Sequence, residues 1–487
     1  MHIAFVASEC VPFSKTGGLA DVVGALPRAL AAMGHQVSVY LPRYRQTKLS
    51  DPQTVVRSIT VPFDDRYRFC SVVSGGSHAS GVHFYFVEYP PYFDREALYG
   101  TSTGDYPDNA ERFALFSRAV LEATKILGVP HAFHCHDWQS ALVPILLRTQ
   151  YAEDPAFRDV ATVFTIHNMG YQGLFPPDTL PLLTLPWDLF TISKMEFFGN
   201  VNFLKGALAY SDFITTVSRK YSQEIQTTEF GFGLEGVLRN RAATVTGILN
   251  GVDYDEWSPQ TDKFAVARYS PEDLSGKAKC KEDLLAAFGV THADLRLPVI
   301  GIVSRFAAQK GFDLIAQVMD RLAREEMIVV ALGNGDKQYE EMFLRLQKQF
   351  PQKIAVKVAY DNALAHKIEA GSDMFLMPSR YEPCGLNQIY SLKYGTVPVV
   401  RATGGLDDTI EPWDPRTGKG TGFKFSEYSG EALLLTIKQA LQAFRDRTSW
   451  QVLMRNGMAK DFSWNASAKE YVRIYERVRQ ARAAGAA

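Results

Sequence analysis

The sequence predicts an α/β protein made of two mostly parallel sheets, each covered by helices on both faces. Three observations predict it. Short apolar runs alternate with stretches of helical periodicity, which is the signature of strand–helix–strand units. The alternation breaks at Leu249-Asn250-Gly251-Val252-Asp253 and then begins again. The chain also has 487 residues, more than one hydrophobic core organises, so roughly two or three domains are expected.

In the first half, Ile3–Ala7, Val37–Leu41, Val82–Val87, Phe133–Cys135, Thr162–Ile166 and Phe213–Val217 read as strands. Leu19–Met33 reads as a helix because Val22, Val23, Leu26, Leu30 and Met33 keep helical spacing. Pro27 lies inside it and predicts a kink. Ala110–Gly128, ending in glycine, and Asp137–Tyr151 are the next helical stretches. The chain then runs through Trp257-Ser258-Pro259 into a second alternating set: Val299–Val303, Ile328–Leu332, Ile354–Val358, Met374–Met377 and Val397–Val400. From about Ser467 the pattern is that of a last amphipathic helix. Domains are therefore expected at 1–247 and 248–466, with a terminal helix over 467–487. No repeat or low-complexity segment is evident beyond the alanine-rich last five residues.

Composition narrows the function classes. Apolar residues make up 46% and charged residues 22%, as in soluble globular proteins. The formal net charge of -1 favours neither nucleic acid nor an acidic membrane face, so an anion site must be a local cluster of Lys and Arg. No apolar run approaches the roughly 18 residues of a membrane span. The sequence goes directly into strand pattern from its first residues, which argues against export. The five scattered cysteines form no Cys-x-x-Cys pair, which argues against disulfides and structural zinc and fits a reducing cytoplasm.

Four stretches could carry chemistry. The first is Ser14-Lys15-Thr16-Gly17-Gly18-Leu19-Ala20, between a strand and a helix. Gly17 and Gly18 let a ligand approach the main chain, the helix's first amides and dipole favour an anion, and Lys15 adds a full charge. An isolated Gly-Gly is most often just a corner, and neither usual phosphate fingerprint is present. The second is Ser304-Arg305-Phe306-Ala307-Ala308-Gln309-Lys310-Gly311, whose two cations follow a strand's carboxyl end, where open parallel sheets bind ligands. Arg grips two oxygens at once and Lys acts as a point charge. The third is Pro378–Leu386, where Gly385 and Leu386 offer amides at a helix start and Glu382 offers acceptors for vicinal hydroxyls. An acid there could equally serve only the helix dipole. The fourth, Thr403-Gly404-Gly405-Leu406, echoes Thr16-Gly17-Gly18-Leu19 and follows a strand, a position suited to an anion.

In His134-Cys135-His136-Asp137-Trp138, the two histidines share one strand face. With His167 they could be core histidines, a metal site, or polar groups lining a sugar pocket with Trp138 as an apolar face. The metal reading is the weakest, since His-Glu-x-x-His is absent. No Gly-x-Ser-x-Gly elbow is present either.

Taken together these residues resemble the bacterial glycogen synthase and plant starch synthase family. The resemblance rests on Lys15-Thr16-Gly17-Gly18-Leu19, His136-Asp137-Trp138, Thr165-Ile166-His167-Asn168, Asn250-Gly251-Val252-Asp253, Ser304-Arg305, Gln309-Lys310-Gly311 and Glu382-Pro383-Cys384-Gly385-Leu386, in the family's order. It implies two Rossmann-like domains facing a deep cleft, the glycosyltransferase B fold, with the last helix returning to the N-terminal domain. It implies retaining transfer of glucose from ADP-glucose to the non-reducing 4-hydroxyl of an α-1,4-glucan such as glycogen or a maltooligosaccharide, with no metal or other cofactor.

Carried onto this chain, Lys15 and the amides near Gly17 and Gly18 touch the donor diphosphate, with Asp21 and Asn250 among the substrate-binding residues. Arg305 and Lys310 hold the diphosphate from the other side. Glu382 binds the glucose 3- and 4-hydroxyls, with Cys384, Gly385 and Leu386 near the phosphate. His167 holds the 6-hydroxyl, Asp137 lies towards the acceptor, and Tyr360 stacks on adenine. Two departures stand out: Tyr390 occupies the position of a second glutamate common in this fold, and Ala359 stands where relatives often have glycine. The resemblance further implies a front-side displacement and domain closure against water. A UDP-glucose-preferring synthase and a catalytically silent glucan or nucleotide-sugar binder are the alternatives, and no motif suggests a pyridoxal-phosphate phosphorylase.

Overall fold

The computed structural model describes residues 1–63, 66–77, 81–101 and 103–485. Ala486 and Ala487, the end of the alanine-rich tail and of the 467–487 range, lie outside the described residues. The chain divides into two compact units. The first comprises Met1–Val217, Ser222–Gly251 and the chain from Trp464 onward; the second comprises Ser218–Tyr221 and Val252–Ser463.

The first unit is built on a nine-stranded sheet. Its strands in chain order are β1 (His2–Val6), β2 (Gln36–Pro42), β3 (Gln53–Phe63), β4 (Arg66–Ser77), β5 (Val82–Glu88), β6 (Ala132–His136), β7 (Ala161–Ile166), β8 (Phe213–Thr216) and β9 (Val245–Gly247). The spatial order is β9-β8-β7-β6-β1-β2-β5-β4-β3. Every pairing from β9 to β5 is parallel, whereas β5–β4 and β4–β3 are antiparallel. The parallel strands are buried on both faces, so they are mostly apolar and stand out as runs. The edge strand β3 alternates instead, with Val56, Ile59, Val61 and Phe63 turned inward among exposed polar neighbours. That mixed pattern, with Pro62 inside it, gives no apolar run. β9 has three residues, too few for any periodicity.

Helix α1 (Gly18–Ala32) carries Pro27 without a break. Val23, Leu26 and Leu30 around it are all buried in one core, which holds both halves of the helix on the sheet at the loss of one backbone donor. The predicted helix over Asp137–Tyr151 is instead a single 3₁₀ turn, Trp138–Ser140, followed by Leu142–Leu147. Asp137, at φ 54°, turns the chain out of β6 before any helix can begin. Helix α2 (Trp464–Ala483) packs Trp464, Ala468, Tyr471, Ile474, Tyr475 and Val478 into the same core as β1 and α1. The Tyr475 hydroxyl meets His134 Nδ1 at 2.7 Å in the interior.

The second unit carries a six-stranded, wholly parallel sheet. Its strands are β10 (Val299–Val303), β11 (Ile328–Gly333), β12 (Ile354–Val358), β13 (Met374–Met377), β14 (Val397–Arg401) and β15 (Phe423–Phe425), in the order β12-β11-β10-β13-β14-β15. The order reverses beside β10, so β10 and β13 are neighbours that send their loops to opposite hands. That reversal opens the crevice in which doubly wound sheets hold ligands. β15, another three-residue strand, has no signal in the sequence. Apolar side chains close both faces of the sheet.

Candidate active site

In the second unit the loops after β10 and β13 enclose a cavity of about 210 Å³ lined by Arg305, Lys310, Ser379, Glu382, Gly385, Leu386 and Asn387, among others. Neighbouring strands put the two loops side by side, and Asn387 ties them by donating from Nδ2 to the Val303 carbonyl at 2.8 Å. Glu382 is 6% exposed. The Lys310 ammonium donates to both its oxygens, at 2.9 and 2.7 Å, and Ser379 Oγ donates to Oε2 at 3.0 Å. The sequence treats Lys310 as a free point charge and Glu382 as a free acceptor. In the folded unit each holds the other, because a carboxylate this buried needs partners in place of water, and here an ammonium and a hydroxyl supply them. Arg305 remains open: it is exposed, and its guanidinium donates to Gln309 Oε1 at 3.3 Å.

The turn before helix α3 (Asn387–Lys393) depends on glycine. Gly385 has φ +69°, and a Cβ there would lie 2.4 Å from Gln388 Oε1. Gln388 Nε2 fastens the turn by donating to the Cys384 and Gly385 carbonyls, both at 3.0 Å. Cys384 itself is buried, so the residue contributes backbone rather than an exposed thiol. Leu386 is the N-cap of this helix and no side chain caps its first turn, and Leu386 and Asn387 both line the cavity.

The second Thr-Gly-Gly-Leu does not form an anion loop. Gly404 and Gly405 are buried, and a Cβ on either would stand 1.9 Å from a carbonyl oxygen, of Glu382 and Cys384 respectively. The Gly405 amide donates to the Glu382 carbonyl at 3.1 Å. These glycines allow the close approach of one backbone to another and so support the Glu382 turn from behind. Tyr360, on the loop after β12, is 83% exposed and offers a free aromatic face.

The first unit supplies the other candidates. Gly17 and Gly18 are exposed, and nothing lies within 4 Å of where their Cβ atoms would be. Lys15 is paired with Asp21 at 2.7 Å on the surface, so both expected substrate contacts begin as one exposed ion pair. The amides of Thr16 and Gly17 are not available to a ligand, contrary to expectation: both donate to Oε2 of buried Glu9, the latter at 3.2 Å. Those of Gly18 and Leu19 have no acceptor among the described residues and remain for an anion.

At the ends of β6 and β7, His136 Nδ1 and His167 Nε2 are 3.0 Å apart. Burial pulls the His167 pKa down to about 3 and that of His136 well below its usual value, so both rings are neutral at pH 7. Asp137 Oδ1 accepts from the His167 amide at 2.7 Å, yet burial, with the Glu9 charge adding to it, pushes its pKa up to about 7. His134 is a core residue, bonded to Thr165 Oγ1 at 2.6 Å and to Tyr475. Trp138 is packed edge-on against Phe113 and Phe175, and a Cβ on Gly173 would come within 2.7 Å of it, so it presents no open face to a sugar. Asn250 is buried, its side-chain oxygen without a partner among the described residues. No group of three His, Cys, Asp or Glu among the described residues could hold a metal ion. No helix among them is long and apolar enough to cross a membrane.

Glu9 and Ser379 escape sequence reasoning. Neither stands in a motif, and only its partners reveal it.

Residues 288–451 match the glycosyl transferases group 1 family, and residues 2–240 match the starch synthase catalytic domain. Two units built on mostly parallel sheets, together with these matches, make the chain a glycosyltransferase of the B fold. It is 74% identical to the glycogen synthase of Koribacter versatilis over 99% of each chain. It is 48% identical to that of Anaeromyxobacter sp. (strain Fw109-5), over 98% of this chain and 99% of the other. The catalytic domain of starch synthase IV from Arabidopsis thaliana, solved bound to ADP and acarbose, superposes with a TM-score of 0.89 at 33% identity, covering 98% of this chain and 99% of that one. The chain belongs to the glycogen synthase and starch synthase family.

Proposed function

We propose that this chain transfers glucose from ADP-glucose to the non-reducing 4-hydroxyl of an α-1,4-glucan, retaining the anomeric configuration. The observation that carries the reading is the strand-end cavity of the second unit, where Arg305, Lys310, Glu382 and uncapped helix amides converge. The ADP of the starch synthase IV structure supports the choice of nucleotide, and its acarbose supports a glucan-like acceptor.

Arg305 and Lys310 offset the charge that collects on the departing diphosphate, which is where fixed cations lower a barrier most. Glu382 accepts from the glucose 3- and 4-hydroxyls and shares Lys310 with the phosphate oxygens. His167, held neutral, hydrogen-bonds the 6-hydroxyl without opposing the positive charge that develops on the sugar ring. Lys15 and the Gly18 and Leu19 amides serve the diphosphate, Asp137 faces the acceptor, and Tyr360 stacks on adenine. Among the described residues lining the cavity Glu382 is the one carboxylate, and it is occupied by Lys310. A covalent glycosyl–enzyme intermediate needs a carboxylate free to attack. Front-side displacement, with a diphosphate oxygen taking the acceptor proton, accommodates retention without one. Five free, buried cysteines fit a reducing cytoplasm.

The test is transfer from ADP-glucose and UDP-glucose to maltooligosaccharide, with the new linkage read by NMR. The reading expects an α-1,4 linkage and higher kcat/KM with ADP-glucose. A β linkage or a preference for UDP-glucose contradicts it.

A further inference from the structure

Glu9 stands just past the end of β1, 3% exposed, and its four hydrogen-bond donors all come from two loops. Oε2 accepts from the Thr16 and Gly17 amides, while Oε1 accepts from Thr16 Oγ1 at 2.6 Å and the Tyr99 hydroxyl at 2.6 Å. Ser8 Oγ completes the set by donating to the Tyr99 oxygen at 2.7 Å. Every lone-pair direction of the carboxylate is used, and no ion pair to Glu9 is present among the described residues. A buried carboxylate without a cation is held by its donors alone, and here three of the four belong to the segment that carries Lys15.

We propose that Glu9 is the positioning residue of the donor-side loop. Its carboxylate draws the Thr16 and Gly17 amides inward and so fixes Lys15 and the Gly18 and Leu19 amides on the outside for the diphosphate. The geometry explains an otherwise poor arrangement. Lys15, Thr16, Gly17 and Gly18 are all exposed, and no atom lies within 4 Å of the glycine Cβ positions, so packing does not hold this loop. Two glycines in series would leave it many conformations. Beside the exposed Lys15–Asp21 pair and the backbone bonds at Ser14 and Ala20, the hydrogen bonds to Glu9 are the buried restraint, and Tyr99 holds Glu9 in turn. Glu9 also lies close enough to Asp137 for its charge to act there, so one carboxylate adjoins both candidate groups of this unit. Glutamine has the same shape but replaces one acceptor with an NH₂ that faces donors. Aspartate keeps the charge but falls one methylene short.

The inference rests on the reading that Lys15 contacts the donor, and the experiment separates the two. Glu9→Gln, Glu9→Asp, Tyr99→Phe and Lys15→Ala are each assayed for donor and glycogen KM and for thermal midpoint, and the three that keep Lys15 are also assayed, beside wild type, for the rate of trypsin cleavage at the Lys15–Thr16 bond. Loss of charge-assisted bonds predicts that Glu9→Gln raises the KM for ADP-glucose about 10- to 100-fold, with glycogen KM within about 2-fold. Cleavage after Lys15 accelerates in Glu9→Gln and Glu9→Asp ahead of any global unfolding. Tyr99→Phe, which removes one hydroxyl, moves both readouts the same way by a smaller factor, and it is the decisive variant if Glu9→Gln does not fold. Unchanged cleavage and donor KM in Glu9→Gln and Tyr99→Phe, while Lys15→Ala raises donor KM, overturn the role of Glu9. Faster cleavage in Glu9→Gln, with donor KM unchanged both there and in Lys15→Ala, overturns the contact of Lys15 with the donor instead.

Discussion

Removing either end of the Lys310–Glu382 pair separates catalysis from stability. The pair is doubly hydrogen-bonded, with side chains 25% and 8% exposed. It lies between an exposed pair, worth about 0–1 kcal/mol, and a buried one, whose breaking costs about 3–5. Glu382→Ala or Lys310→Ala is therefore expected to cost about 2 kcal/mol, lowering the melting midpoint by roughly 4–8 °C. A domain with roughly 5–15 kcal/mol of stability stays folded at 25 °C after such a loss. Turnover is expected to fall about 10²- to 10³-fold, equivalent to about 2.7–4 kcal/mol of transition-state stabilisation. The double variant should be less destabilised than the sum of the singles, since neither charge is left without its partner, but no more active than the worse of them. Calorimetry and initial-rate assays at 25 °C on the same preparations decide it. Single variants that lose stability while keeping turnover within about 3-fold, or a double variant that regains activity, would refute the assignment of both groups to the reaction.

Other consequences follow from the same geometry. Asp137 has a folded pKa of about 7 against an ordinary value of 3.8, so its folded form holds a proton that the unfolded chain releases, and that stability is lost as pH rises from about 4 through 7. Asp137→Asn should therefore gain in melting midpoint relative to wild type between pH 5 and pH 8; a flat difference contradicts the shift. His167, depressed to about 3, contributes in the opposite sense, its stability being lost as pH falls below 6.5, but it is common to both proteins. Gly405→Ala must move the Cys384 carbonyl and should cost about 1–3 kcal/mol together with most of the activity, whereas Gly17→Ala should change stability by less than about 1 kcal/mol. Tyr475→Phe leaves His134 Nδ1 without its partner and should cost about 1–2 kcal/mol in denaturant unfolding while leaving donor KM unchanged.

The strands were legible where burial on both faces makes a run apolar, as in Ile328–Gly333 and Ala161–Ile166. They were illegible where one face meets water, as in the antiparallel pair of Gln53–Phe63 with Arg66–Ser77. The loops after β10 and β13, which line one cavity, were readable as candidate ligand loops because strand, glycine and helix follow in order. That Lys310 binds Glu382 was not, because the two are 72 residues apart and only strand order brings them together. The two Thr-Gly-Gly-Leu segments are alike in sequence and opposite in use: one is open to solvent and the other is pressed against backbone. Local sequence states that glycine is required, not whether a ligand or the chain itself makes the close approach.

The most direct test of glucosyl transfer is ADP release from ADP-glucose with glycogen present, in EDTA, measured beside the glucose incorporated into the glucan. Equal amounts of both are expected for the wild-type chain, with both lowered together in Glu382→Ala. Release of ADP that does not depend on glycogen, or none at all, would contradict the account.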